Sequence, residues 1–322
     1  MQEKADFNWS LIGHEKIKEF LQSEVKQRRL AHAYLFSGPE KIGKTTLARL
    51  FAKTVSCDSF HAYSKLNNYL SGENELSVLP CGVCESCLQF DKGIYPDFYQ
   101  IEREVNQKTG ERRQAITINQ IRELQNKLNK RSFSNSYKVA IIKEAEALNK
   151  EAANALLKTL EEPSPKTILI LITTTRELIL ETIQSRCQSL KFSSVTKKEI
   201  REYLVRQGMS RTQADEIACL SQGRPTVALN ALKNKDLMPG FQAQVEWWIQ
   251  LLGSNNVQKL KLAEKLLQSK LSVENLLKEL STFSMVLRDI LLARAGQLDL
   301  ITFRSLSLKG QSVLPQLVDS AV

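Results

Sequence analysis

The chain has 322 residues, 42% of them hydrophobic and 25% charged, enough for two or three domains with buried cores. Its formal net charge of +10 favours an anionic partner such as nucleic acid or nucleotide, and is equally compatible with a solvated basic surface. The longest apolar run, TILILI at Thr167 to Ile172, is too short for a bilayer, and MQEKADFNWS at the start has no apolar signal core. No membrane contact and a cytoplasmic location are expected, where six cysteines do not form a disulfide framework.

In chain order, AHAYLFSG is an apolar strand ending at Gly38, and KTTLARLFAKTV follows with helical spacing. DFYQIE and AITIN read as short strands with Gly110 in the turn between them. INQIRELQNKLNK puts Ile118, Ile121, Leu124 and Leu128 on one helical face. YKVAIIK is a strand, KEAANALLKTLEE a helix stopped by Pro163 and Pro165, and TILILITTT a strand of the kind buried on both sides of a parallel sheet. After Phe192 the pattern turns helical, with Ser194 or Thr196 as the first cap and a break at Gly223 and Pro225. The organisation predicted is an α/β domain at 1–191, a small helical domain at 192–235 and a C-terminal helical domain at 236–322.

GPEKIGKT, Gly38 to Thr45, fits the phosphate-loop pattern and stands between a strand and a helix, the context the pattern requires. Such a loop turns its amides toward phosphate oxygens, at the positive end of the helix dipole. The predicted nucleotide-binding set is Gly38, Pro39, Glu40, Lys41, Ile42, Gly43, Lys44, Thr45 and Thr46. Lys44 would reach the β- and γ-phosphates and Thr45 would face magnesium. Lys41 stands where glycine is common.

PCGVCESC places Cys81, Cys84 and Cys87 at a spacing that lets three thiols converge on one tetrahedral ion. Cys57 is the natural fourth ligand and His61 the next candidate, giving a structural zinc module at about 57–90. An iron–sulfur cluster would need a further cysteine three residues on, which is missing. Cys187 and Cys219 stand apart and read as packing residues.

IGHEKIKEFL, RLAHAYLFSGPEKIGKTTLA, CGVCESC followed by YPDF, ITINQIREL, EAANALLKTLEEPSP, ILITTT and IQSRCQ together resemble the AAA+ clamp-loader subunits of bacterial DNA polymerase III, and within that family the delta-prime type. The resemblance runs from about Ile12 to Phe192; beyond it the chain matches only in being helical. It implies a RecA-like AAA+ domain, a helical lid and a C-terminal collar that oligomerises with gamma/tau and delta subunits. It also implies action on a sliding clamp and primed DNA through the complex, with zinc as structural metal and ATP with magnesium as ligand. No polymerase site belongs to this chain.

In such an arc of subunits, Arg186 of the Ser185–Arg186–Cys187 motif is the finger delivered to a neighbour's ATP site. Glu144 keeps the place of the residue that polarises water, and Thr173 or Thr174 that of the first sensor. Lys143 replaces the aspartate that helps hold magnesium. The second-sensor arginine is missing, its place falling on Thr226 or Val227, with Arg224 out of step. Ile12 to His14 would lie near the adenine, and His32 in the packing. Glu161 and Glu162 read as helix-end and interface residues, and Trp247 and Trp248 as core or subunit contacts. The expected protein is a subunit with little or no ATPase of its own. The rival readings are a gamma/tau motor subunit, a free-standing P-loop enzyme and a zinc-dependent DNA-binding module with a relict ATP site.

Overall fold

A computed structural model describes residues 6–61, 78–105, 110, 112–133, 136–234, 237–268, 273–297 and 301–302. Most of the polar segment between Cys57 and Cys81 lies outside them. The chain divides into two compact units, residues 1–195 and 196–322.

The first unit is a five-stranded parallel sheet in the order β2-β3-β4-β1-β5. The strands are β1 (Ala33–Ser37), β2 (Phe98–Ile101), β3 (Lys138–Ile142), β4 (Thr167–Thr173) and β5 (Gln188–Lys191). All of β1, β3 and β4 is buried, because helices cover both faces. Successive side chains therefore enter two cores. Tyr34, Phe36, Val139, Ile141, Ile168 and Ile170 pack on one side, with α1 (Glu15–Gln27) and α2 (Lys44–Ser56). Ala33, Leu35, Ala140, Ile142, Leu169 and Leu171 pack on the other, with α4 (Ile118–Leu128) and α5 (Lys150–Glu161). A short helix, α3 (Glu85–Asp91), lies beside the first core through Phe90 and Cys87.

Local chemistry sets the helix starts. The Asn149 side chain accepts from Ala152 N at the head of α5, and Thr117 and Gln120 form a capping box on α4. This cap corrects the strand expected at AITIN. Only Ile116 makes a β-bridge, to Leu148, and the helix has already begun at Ile118. Helix α6 (Glu181–Gln184) precedes β5.

In the second unit α7 (Lys197–Arg206), α8 (Arg211–Leu220) and α9 (Pro225–Lys233) pack on one another. Thr196, not Ser194, caps α7, in a box with Glu199. Pro225 opens α9 at its first turn, where a missing N–H costs nothing. Three longer helices follow, α10 (Leu237–Leu252), α11 (Asn256–Gln268) and α12 (Val273–Arg294). Val245 and Trp248 of α10 pack with Met285 and Val286 of α12, while Trp247 is half-exposed at the edge. No helix among the described residues is long and apolar enough to cross a membrane.

Leu171, fully buried at the centre of the sheet, tests the two-core arrangement. Leu171→Ala is expected to lower unfolding stability by about 2–5 kcal/mol, read from the denaturant midpoint at unchanged m-value.

Candidate functional site

The segment between β1 and α2 is shaped by close approaches. Gly38 has φ 140°, and a Cβ there would lie 2.3 Å from the Phe192 carbonyl oxygen. Gly43 has φ 104°, and its Cβ would meet Leu11 at 2.7 Å. Side chains are excluded at both, so the loop is a backbone cradle opening onto the first turn of α2. Lys41 adopts φ 61°, the left-handed conformation that glycine favours, so the substitution at this position is accommodated at a backbone cost. Ile42 is fully buried and anchors the loop. The His14 Nε2–H donates to the Ile42 carbonyl at 2.9 Å, and the ring packs edge-on to Phe192. His32, expected in the packing, is exposed; its carbonyl accepts from Leu169 N.

Lys44 is buried and folds back on the loop, donating to the Gly38 and Pro39 carbonyls at 2.5 Å. Burial lowers its pKa, while the charges of Glu146 and Glu40 act in the opposite direction. Thr45 is half-buried; Glu40 and Thr46 are exposed. The donor set and the glycine cradle fit the phosphates of a nucleotide.

The residues after β3 do not all face this loop. The Lys143 ammonium pairs with Glu102 at 3.2 Å. Glu144 takes φ 52° and gives both carboxylate oxygens to arginines, Oε2 to Arg103 Nε at 2.5 Å and Oε1 to Arg103 Nη2 and Arg112 Nη1 at 3.2 and 3.4 Å. Glu146, which sequence reasoning passed over, is the carboxylate after β3 whose charge acts on Lys44. Its Oε1 accepts from Thr174 N at 3.1 Å and from Thr174 Oγ1 at 2.6 Å. Burial pushes the Glu146 carboxyl up, but these hydrogen bonds outweigh it and hold the group below its ordinary value. Thr173 is buried and donates to the Thr175 carbonyl, which leaves Thr174 as the exposed-side hydroxyl at the end of β4. The only sequence signal for Glu146 was the Glu144–Ala145–Glu146 spacing, which does not say which carboxylate turns inward.

Arg186 follows α6. Its guanidinium pairs with Glu161 at 2.8 Å and donates to the Thr182 carbonyl at 2.9 Å, with both partners of the ion pair part-exposed. Cys187 beside it packs into the second core, and burial pushes its thiol up to about 12. It is a packing residue and not a nucleophile.

Cys57, Cys81, Cys84 and Cys87 converge, with all four sulfurs within 4.8 Å of one another. Three of the separations are 3.5, 3.9 and 4.0 Å. A tetrahedral zinc–thiolate site, with bonds of about 2.3 Å, places its sulfurs about 3.8 Å apart. Cys57 caps the C-terminus of α2 and Cys84 the N-terminus of α3, so the cluster joins the helix of the phosphate loop to the short helix beside it. Amides of Cys81, Cys84 and Cys87 donate to sulfurs of the set, the outer hydrogen bonding typical of metal thiolates. The donor set fits zinc. His61 is not among these ligands; its ring stacks on Tyr137. A hydrogen bond from Cys87 lowers the Cys57 thiol below its ordinary value. Burial raises the Cys84 thiol, and its bond to Cys57 together with burial raises Cys87.

These elements define a class: a doubly wound parallel-sheet domain with a phosphate-loop turn and a four-cysteine centre. Within that class the comparisons are specific. A family model described as DNA polymerase III, delta subunit, matches residues 13–196, and the chain belongs to that family. The chain is 35% identical over 190 residues to DNA polymerase III subunit tau of Bacillus subtilis, covering 59% of this chain and 30% of that protein. To subunit delta' of the same organism it is 32% identical over 203 residues, 63% of this chain and 54% of that protein. The chain thus spans about half or less of the length of these two relatives. A DNA polymerase III gamma subunit-related protein of Thermotoga maritima, of known structure, is 19% identical, covering 82% of this chain and 77% of that one at a TM-score of 0.41.

Zinc uptake requires thiolates, so protons compete with the metal and affinity falls as pH falls. Purified chain is expected to hold about one zinc ion, and Cys87→Ser close to none, by metal analysis. Zinc added to the stripped chain should release protons, and more of them as the pH is lowered, measurable by calorimetry in buffers of different ionisation enthalpy.

Proposed function

We propose that the chain is a subunit of the DNA polymerase III clamp loader, of the delta-prime type. It sits in an arc with gamma/tau and delta subunits and supports the ATP-driven placing of a sliding clamp on primed DNA in the cytoplasm. Its sheet domain is the AAA+ module, residues 192–235 the lid and 236–322 the collar that joins the arc. ATP with magnesium binds through the loop from Gly38 to Thr46, and zinc is structural. The chain hydrolyses little ATP itself and supplies Arg186 to the ATP site of a neighbour.

The observation that carries this reading is the state of the groups after β3. A cation, Lys143, stands in place of a metal-holding aspartate, and Glu144 is committed to Arg103 and Arg112. A carboxylate whose two oxygens are both engaged by guanidinium groups is not placed to orient and polarise a water at a phosphate. Arg186, in contrast, is held by a part-exposed ion pair with Glu161, worth no more than about 1 kcal/mol. Exchanging Glu161 for a phosphate on an adjoining subunit is therefore inexpensive, and an arginine delivered in this way raises hydrolysis by about 10³ to 10⁵.

A motor of the gamma/tau type is the second reading, favoured by the 35% identity to a tau subunit. Lys143 separates the two, because a motor needs a metal ligand there. Purified alone, the chain is expected to show ATPase close to background, and Lys143→Asp to raise it little while Glu144 stays with its arginines. Rapid turnover by the isolated wild-type chain would favour the motor.

A further inference from the structure

The geometry points to Glu146 as the carboxylate that this chain presents to a nucleotide-bound magnesium ion, in the place that Lys143 cannot fill and Glu144 has left. The inference rests on the nucleotide-binding part of the proposed function and names the residue on which that binding depends.

Position comes first. Strand β4 lies between β1 and β3, with Ser37 opposite Thr173 at the carboxyl ends. The turn at Ala145–Ala147 follows β3, and Glu146 within it is bonded to Thr174 at the end of β4. Glu146 is thereby drawn across β4 toward the loop that follows β1, and its charge acts on Lys44. Glu144, two residues earlier, leaves in the other direction, toward Arg103 and Arg112, as does Lys143 toward Glu102.

Valence comes second. Thr174 gives both of its donors, N–H and hydroxyl, to Oε1 alone. Oε2 is buried and has no hydrogen-bond partner among the described residues. A buried carboxylate oxygen left without a donor is costly, and a cation satisfies it more fully than a single hydrogen bond. Magnesium matches the rest of the setting. It retains several waters and is held by one or two carboxylates together with substrate phosphates, and the Thr45 hydroxyl sits at the head of α2. The same carboxylate repels phosphate when no cation lies between them. Nucleotide binding by this chain is therefore strongly magnesium-dependent, and Glu146 is the source of that dependence.

The test is equilibrium binding of a fluorescent ATP analogue to the full chain, with magnesium and with chelator, followed by fluorescence anisotropy. For wild type, magnesium should tighten binding by about ten- to a hundredfold. Glu146→Gln should bind equally with and without magnesium, because both the contact and the repulsion are gone. Manganese bound with the nucleotide should lose affinity in the same variant, read directly by electron paramagnetic resonance. If Glu146→Gln does not fold, Glu146→Asp keeps the charge but shortens its reach, and should show a reduced magnesium effect. A full magnesium effect in the Glu146 variants, or a loss that falls on Glu144→Gln instead, would overturn the assignment and leave nucleotide binding standing. A wild-type chain that binds no analogue under either condition would overturn both.

Discussion

The insertion of β4 between β1 and β3 is the constraint from which the site follows. Parallel pairing on both sides of β4 brings three strand ends together at one edge of the sheet. The phosphate loop leaves β1, Thr174 stands at the end of β4, and the acidic turn leaves β3. Ligands of open α/β sheets bind at this carboxyl edge because only there do loops and helix N-termini converge. The buried strands fix the register: each of Ala33–Ser37 and Lys138–Ile142 sends alternate side chains into two separate cores, so a slip by one residue would exchange them.

Given that frame, the functional character depends on how the residues after β3 divide. Lys143 and Glu144 turn toward Glu102, Arg103 and Arg112, and Glu146 turns toward Thr174. One turn thus sends two carboxylates two residues apart to different partners, Glu144 to arginines and Glu146 to Thr174. Glu144 adopts a left-handed backbone conformation to do this, a strained arrangement of the kind that persists where the surroundings impose it. On the proposed reading, membership of a DNA polymerase III family would give the division a purpose, since a subunit that does not fire can still act on the one beside it. The cysteine centre serves the same frame from behind, tying the C-terminal end of α2 to α3 and thereby steadying the helix whose first turn carries Lys44 and Thr45.

Much of this was legible in the sequence where one local rule decides the outcome. Continuous apolar runs gave β1, β3 and β4, and the glycine spacing gave the loop. Cysteine spacing grouped three thiols of one cluster, and the position of Cys57 at the end of α2 pointed to the fourth. The AITIN segment misled because β-branched alternation over five residues cannot be told from the approach to a helix, and the Thr117–Gln120 cap decided in favour of the helix. Glu146 was not legible beyond its spacing from Glu144. Which of two carboxylates two residues apart turns inward depends on Arg103 and Arg112, more than thirty residues away in the chain, and on a backbone inversion at Glu144 that no propensity favours.

The central claim is that this chain is disabled at its own pocket and active at the next. The most direct measurement is ATP hydrolysis by the reconstituted loader, assembled with either wild-type chain or Arg186→Ala, in the presence of clamp and primed DNA. Turnover at the adjoining site is predicted to fall by about 10³ or more with the complex still assembled. Undiminished hydrolysis and clamp placement by the variant complex would contradict the account.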